Sequence, residues 1–337
     1  MSVLVIPGDT GGCGFYRLRF PAEAVRDVGG VDVAIIDADD VPMPYLGQPD
    51  RDGTVRVISI DTSGLPDVDT IVMQRPLQDT GWQFVRLLRR AGYRVVVDVD
   101  DDFDRLHPGN PAARLCAGDA RYSPVNIHRA IGEADACTVS TPALADRYRR
   151  NGTPVTVLRN LVPASYLDVP SKRDAMTVGW AGSVTVHHND LGVLGGVLGG
   201  LQRDGWTVKV IGRASRVELG CVTDPVVVPW LPLPEFPFEV ASLGVGVVPL
   251  RDTAFNAGKS WLKGLEYAAL GVPFAASPTG AYRELHGLGL GVLVEKPRMW
   301  RRSILVAADG GDGRGVVRSA GLTYQDRWRD WAAVWQP

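Results

Sequence analysis

Lysine is nearly missing from this chain: five stand against 31 arginines, and with 38 acidic residues the 337-residue sequence carries a net charge of -2. That balance excludes a nucleic-acid binder driven by bulk charge, although Arg86, Arg89, Arg90 and Arg94, or Arg147, Arg149 and Arg150, leave room for a local anionic partner. Cysteine is scarce as well. Cys13, Cys116, Cys137 and Cys221 form no Cys-x-x-Cys pair, which argues against a zinc site and a disulfide framework and points to a reducing cytoplasm. No apolar run approaches the ~20 residues needed to span a bilayer. The longest, 191–201, is broken by Gly192, Gly195, Gly196, Gly199 and Gly200, which suit close helix packing better than a membrane dimerisation motif. Residues 1–7 lack a basic n-region and read as a first strand rather than a signal peptide. Neither a Ser-His-Asp order, nor His-Glu-x-x-His, nor a P-loop occurs, so hydrolase and kinase readings lack a nucleophile or a phosphate cradle.

What is present is ordinary in composition, 45% apolar and 22% charged. At this length two domains of about 150 residues are expected. Short β-rich runs at 4–6, 31–35, 70–73, 94–99, 136–139 and 155–158 alternate with helical patterns, as in a doubly wound parallel sheet. Pro142 suits the first position of one helix and Gly92 the end of another. After the aperiodic stretch 160–174, which reads as a linker, a second such set follows at 176–180, 207–211, 226–228, 245–248, 274–276 and 291–294. The expected division is 1–165 together with a final helix over 320–337, and 166–319, with ligands in the cleft at the carboxyl ends of the strands. Trp328, Trp331 and Trp335 share one face of that final helix.

The most informative segment is Phe255-Asn256-Ala257-Gly258-Lys259-Ser260-Trp261-Leu262-Lys263-Gly264-Leu265-Glu266-Tyr267-Ala268-Ala269-Leu270-Gly271-Val272-Pro273. Asn256 reads as an N-cap, and Pro273 cannot continue the helix. Leu262, Leu265 and Ala269 make an apolar face, while Lys259, Lys263 and Glu266 line up beside it. A lysine in the first turn opposes the helix dipole unless an anion sits there, and a helix N-terminus with a nearby lysine suits a phosphate. Glu266, two turns in, is placed to accept two ribose hydroxyl protons. The plainer alternative is an amphipathic helix with a solvated lysine pair.

This segment resembles the donor-binding helix of the retaining GT-B glycosyltransferases, those of family 4 in particular, where a Gly-x-Pro turn and a short strand follow, here Phe274-Ala275-Ala276-Ser277. The resemblance implies an α/β chain of GT-B fold: two Rossmann-like, doubly wound parallel-sheet domains facing a central cleft, with the C-terminal helix crossing back to the N-terminal domain. The tryptophan stripe would dock there, or pack within its own domain. It also implies that Asn256, Lys259, Ser260 and Glu266 bind the donor, with Lys259 catalytic. The family usually carries a glutamate eight positions before the one matched by Glu266, and this chain has Gly258 there.

Gly179-Trp180-Ala181-Gly182-Ser183-Val184-Thr185-Val186-His187-His188-Asn189-Asp190 resembles the family's Gly-Arg loop, whose arginine and lysine neutralise the leaving diphosphate. Ser183 takes the arginine's place and His187 or His188 approximates the lysine, so Gly182, Ser183, His187 and His188 fall on the donor side and Lys259 becomes the main permanent cation. The histidine pair reads alternatively as metal ligands or satisfied polar groups. Gly8-Asp9-Thr10-Gly11-Gly12-Cys13-Gly14-Phe15-Tyr16-Arg17 is a partial dinucleotide fingerprint, with Arg17 where the third glycine would fall and Asp37 at about the distance of a ribose-binding acid. In GT-B enzymes the corresponding loop reaches the donor diphosphate and the acceptor, which assigns Gly12 and Gly14 to the donor and Tyr16 and Arg17 to the acceptor side. Finally, Val95-Val96-Val97-Asp98-Val99-Asp100-Asp101-Asp102 is a buried strand ending in acids. Asp100 stands where the family's strand ends in His-Asp, which implies that Asp100 or Asp101 hydrogen-bonds the sugar or acceptor, with Asp102 on the acceptor side; a capping cluster and a divalent-metal site are the alternatives.

The expectation is a cytoplasmic, metal-independent glycosyltransferase of hexosyltransferase type. It would move a sugar, with retention, from a nucleoside-diphosphate sugar to a glycan, a virion protein or a modified DNA base, with no cofactor beyond that co-substrate. A retaining enzyme in which the departing phosphate oxygen takes the acceptor proton needs no protein nucleophile. The competing readings are a non-catalytic nucleotide-sugar-binding protein of the same fold and a sugar-nucleotide epimerase. The arginine-for-lysine bias fits a GC-rich genome such as that of an actinobacterium or one of its viruses.

Overall fold

A computed structural model of the chain describes residues 2–149, 152–185 and 189–336. It divides into two compact units, 1–160 with 324–337, and 161–323. The first holds β1 (Ser2–Ile6), β2 (Asp32–Ile35), β3 (Tyr45–Pro49), β4 (Val55–Ile60), β5 (Thr70–Gln74), β6 (Arg94–Val99), β7 (Ala136–Val139) and β8 (Val155–Val157). Six of these form one parallel sheet in the order β2-β1-β5-β6-β7-β8. The second unit repeats the plan with β9 (Asp174–Ser183), β10 (Thr207–Arg213), β11 (Val226–Val228), β12 (Leu243–Val248), β13 (Phe274–Ala276) and β14 (Val292–Leu293), ordered β11-β10-β9-β12-β13-β14 and again all parallel.

The strand sequences explain this arrangement. Central strands such as β6 and β12 are buried along nearly their whole length, because helices cover both faces, and so they read as continuous β-branched runs instead of alternating ones. Their apolar side chains build a core in each unit, around Leu4, Ile71, Val95 and Val97 in the first and Val178, Val210, Val245 and Ala275 in the second. The hairpin β3–β4 was not anticipated. It packs on the helix Asp79–Arg90, where Gln83 donates to the Val55 carbonyl and accepts from the Val57 amide. Its signal was the Asp52-Gly53 turn ahead of an alternating Val55-Arg56-Val57 run, weakened by Gly47 and Pro49 in the opposing strand.

The last helix, Tyr324–Trp335, belongs to the first unit. Trp331 and Trp335 are buried, Trp328 lies against Gly29, and the Tyr324 hydroxyl donates to the Tyr16 carbonyl. Among the described residues no helix is long and apolar enough to cross a membrane.

Candidate functional site

In the second unit the site grows from the carboxyl end of β9. The Trp180 indole folds back under Gly182 so closely that a Cβ there would come within 2.5 Å of the ring. The strand then turns, and the Ser183 and Thr185 hydroxyls share a hydrogen bond of 2.7 Å. His187 and His188 lie outside the described residues.

The helix Leu262–Ala269 is fixed to this strand end: the Ala181 amide donates to the Tyr267 hydroxyl at 3.0 Å, and the Lys263 ammonium sits 4.9 Å from the centre of the Trp180 ring. Glu266, on the same helix, is buried, 8% exposed. The helix begins later than expected. Asn256 is not its N-cap but opens a separate 3₁₀ turn, Asn256–Gly258, with its side-chain amide donating to Asp190 (2.8 Å) and to the Arg251 carbonyl (3.0 Å). Lys259 follows in extended conformation, so it precedes the helix and does not occupy its first turn. Its ammonium lies 4.6 Å from the Phe255 ring centre, and Ser260, half-buried, accepts from the Leu262 amide at 3.4 Å. Of the expected line of charges, only Lys263 and Glu266 share the helix.

In the first unit the expected residues also gather at carboxyl strand ends, but several are committed to the protein itself. Asp9 accepts from the amides of Gly11 (2.8 Å) and Gly14 (3.0 Å), so the Gly14 amide is not offered to a diphosphate. Burial works against ionising Asp9, yet Arg75 and these amides outweigh it and hold its carboxyl below the usual range. Gly14 lets this happen, since a Cβ there would overlap the Asp9 carbonyl. Gly12 is exposed and Tyr16 buried.

Arg17 is not on an accessible acceptor face. It is 1% exposed, its guanidinium bidentate to Asp98 (3.1 and 2.6 Å) and bonded to the Leu158 carbonyl (2.6 Å) and Asn160 (2.8 Å). Thr138 completes the Asp98 shell at 2.6 Å. The acid run after β6 is offset by arginines: the half-buried Asp100 lies 3.6 Å from Arg75, and the buried Asp102 lies 3.6 Å from Arg105 and 3.4 Å from Arg147. Burial still pushes the Asp102 carboxyl up despite both arginines. The Asp101 carbonyl accepts from Tyr148 at 2.9 Å. Among the described residues no group of three or more His, Cys, Asp or Glu is placed to hold a metal ion.

Arg75 and Lys263 are not among the site residues expected from the sequence, and the structure sets both beside those that are. Arg75 has a positive φ of 49°, rare for a residue with a side chain, and bridges Asp9 and Asp100. Its place at the carboxyl end of β5, directly before Pro76, was the available signal.

No family model matches the chain, and no curated protein matches it in sequence. Solved structures match it end to end. A crystal structure of HepE from Anabaena in complex with UDP superposes with a TM-score of 0.61 at 12% identity, covering 99% of both chains. A UDP-forming α,α-trehalose-phosphate synthase from Burkholderia xenovorans, in complex with glucose-6-phosphate, gives 0.60 at 12% identity over 100% of both. The fold is GT-B. Within this GT-B chain the expected donor residues Gly182, Ser183, Asn256, Lys259, Ser260 and Glu266 sit at the end of β9 and around the Leu262–Ala269 helix, Gly12 and Gly14 follow β1 with Tyr16 and Arg17, and Asp100 to Asp102 follow β6.

Proposed function

We propose that this chain is a glycosyltransferase that moves a sugar from a nucleoside-diphosphate sugar to an acceptor with retention of configuration, as in the family 4 enzymes its donor helix resembles. The observation that carries this reading is the helix Leu262–Ala269 pinned to the β9 turn, with Lys259 just ahead of it. Support comes from the matched HepE structures, one with UDP and one with UDP and glucose. In this reading Glu266 accepts the ribose hydroxyls and Lys259 faces the diphosphate. The loop 228–231, whose Trp230 is 55% exposed, meets the base. Asp100 or Asp101 would touch the sugar or acceptor. The bond from the anomeric carbon to the phosphate oxygen breaks and the acceptor oxygen joins that carbon on the same face. The acceptor proton passes to the departing phosphate oxygen, and fixed charge stabilises the leaving group. The acceptor class is a glycan, a virion protein or a modified DNA base.

A thermal-shift screen over UDP, GDP, dTDP and ADP sugars tests this. A ligand at 100 times its dissociation constant adds about 2.7 kcal/mol of stability; no shift with any of the four would refute the nucleotide-sugar assignment. Glu266→Gln is expected to weaken donor binding by about 1.5–3 kcal/mol through loss of charge-assisted bonds, and unchanged affinity in calorimetry would remove the ribose role. Turnover is expected to persist in excess EDTA. Loss of activity restored by manganese or magnesium would recast Asp100 to Asp102 as metal ligands.

One feature favours a second reading, a nucleotide-sugar-binding protein without turnover: Gly258 and Ser183 stand where the family has a glutamate and an arginine.

A further inference from the structure

The β9 turn lacks the cations its family pattern calls for, and the structure brings another to the same place. Lys263 projects from the first turn of the Leu262–Ala269 helix onto the Trp180 indole, two residues before Gly182. Among the described residues its ammonium forms no ion pair, in contrast to Lys209 of the same unit, which pairs with Glu239 and donates to Ser242 at 3.0 Å. A half-buried ammonium on an aromatic face, at the start of a helix, is charge held ready for an anion. We propose that Lys263 binds the donor's diphosphate, supplying from the helix the positive charge that the Gly182-Ser183 turn lacks. This rests on the nucleotide-sugar reading above.

The charged groups around Lys263 define a pH signature. Burial pulls its ammonium down to about 8, Glu266 and Asp190 favour the charged form, and Lys259 opposes it. An ammonium with a pKa of about 8 is only partly charged in the free protein near that pH. A diphosphate arriving beside Lys263 favours the charged form, so binding near pH 8 takes up a fraction of a proton.

Calorimetry with UDP, GDP, dTDP and ADP, and with the parent nucleoside of whichever binds best, tests the proposal. Lys263→Met, which keeps the stem on Trp180, is expected to weaken the diphosphate about 10- to 100-fold and to leave the nucleoside within about 2-fold. Wild-type binding enthalpy at pH 8 is expected to differ between HEPES and Tris, reporting proton uptake, and Lys263→Met to lose that difference. Equal weakening of diphosphate and nucleoside would make Lys263 a packing residue, and wild-type-like diphosphate binding by the variant would overturn the proposal outright. Retention of the buffer difference by Lys263→Met would place the proton uptake on another group and count against the proposal. If the wild type binds none of the four diphosphates, the nucleotide-sugar reading itself fails and takes this inference with it.

Discussion

Lys259→Ala is expected to lower kcat by roughly 100-fold or more while changing donor affinity by much less. Charge on the diphosphate grows as the glycosidic bond breaks, so a cation that meets the departing oxygens contributes most in the transition state. Lys259 suits that role because it precedes the helix in extended conformation, half-buried, its ammonium 4.6 Å from the Phe255 ring centre. Lys263, fixed on Trp180, suits ground-state attraction instead. The two lysines should therefore separate in steady-state kinetics with a cognate donor, Lys259 in kcat and Lys263 in affinity. A Lys259→Ala variant with normal kcat would return that residue to an ordinary surface lysine.

The second large effect is on stability. Arg17→Met leaves the Asp98 carboxylate buried without its cation, and breaking a buried pair in this way costs about 3–5 kcal/mol. Removing the guanidinium also strips bonds from the Leu158 carbonyl and Asn160, which tie the end of the first unit's sheet to the helical turn Phe15–Arg19. Replacing Arg17 and Asp98 together by apolar residues should destabilise by less than the two single changes summed, because no lone charge then remains. Urea unfolding of the three variants measures this. An Arg17→Met midpoint equal to that of the wild type would mean the pair carries no weight in the fold.

The sheets were legible from sequence because parallel strands covered on both faces must be β-branched and apolar throughout. All twelve of their strands lie at or within a few residues of the runs that mark them, with 94–99, 136–139, 226–228 and 274–276 coinciding with β6, β7, β11 and β13. Around the candidate site the local pattern held for Lys263 and Glu266, which share the Leu262–Ala269 helix as their spacing suggests. Asn256 looked like a cap because its side chain suits one, but Asp190, 66 residues away, claims it. Arg17 looked like a ligand-facing arginine following a glycine-rich turn, and only the fold brings Asp98 and Asn160 to it. The Gly14 amide went to Asp9 for a reason local enough to be read, a short acid directly ahead of glycines. Lys263 and Arg75 escaped because their meaning depends on partners from distant segments, Trp180 for one and Asp9 with Asp100 for the other.

Whether this GT-B chain transfers sugar from a nucleotide is decided by incubating it with the nucleotide sugar that stabilises it most and quantifying nucleoside diphosphate over time, with water standing in when no acceptor is supplied. Saturable release of nucleoside diphosphate is expected, with the freed sugar retaining its anomeric configuration. Saturable binding with no release, or an altered sugar still attached to its nucleotide, would contradict transfer.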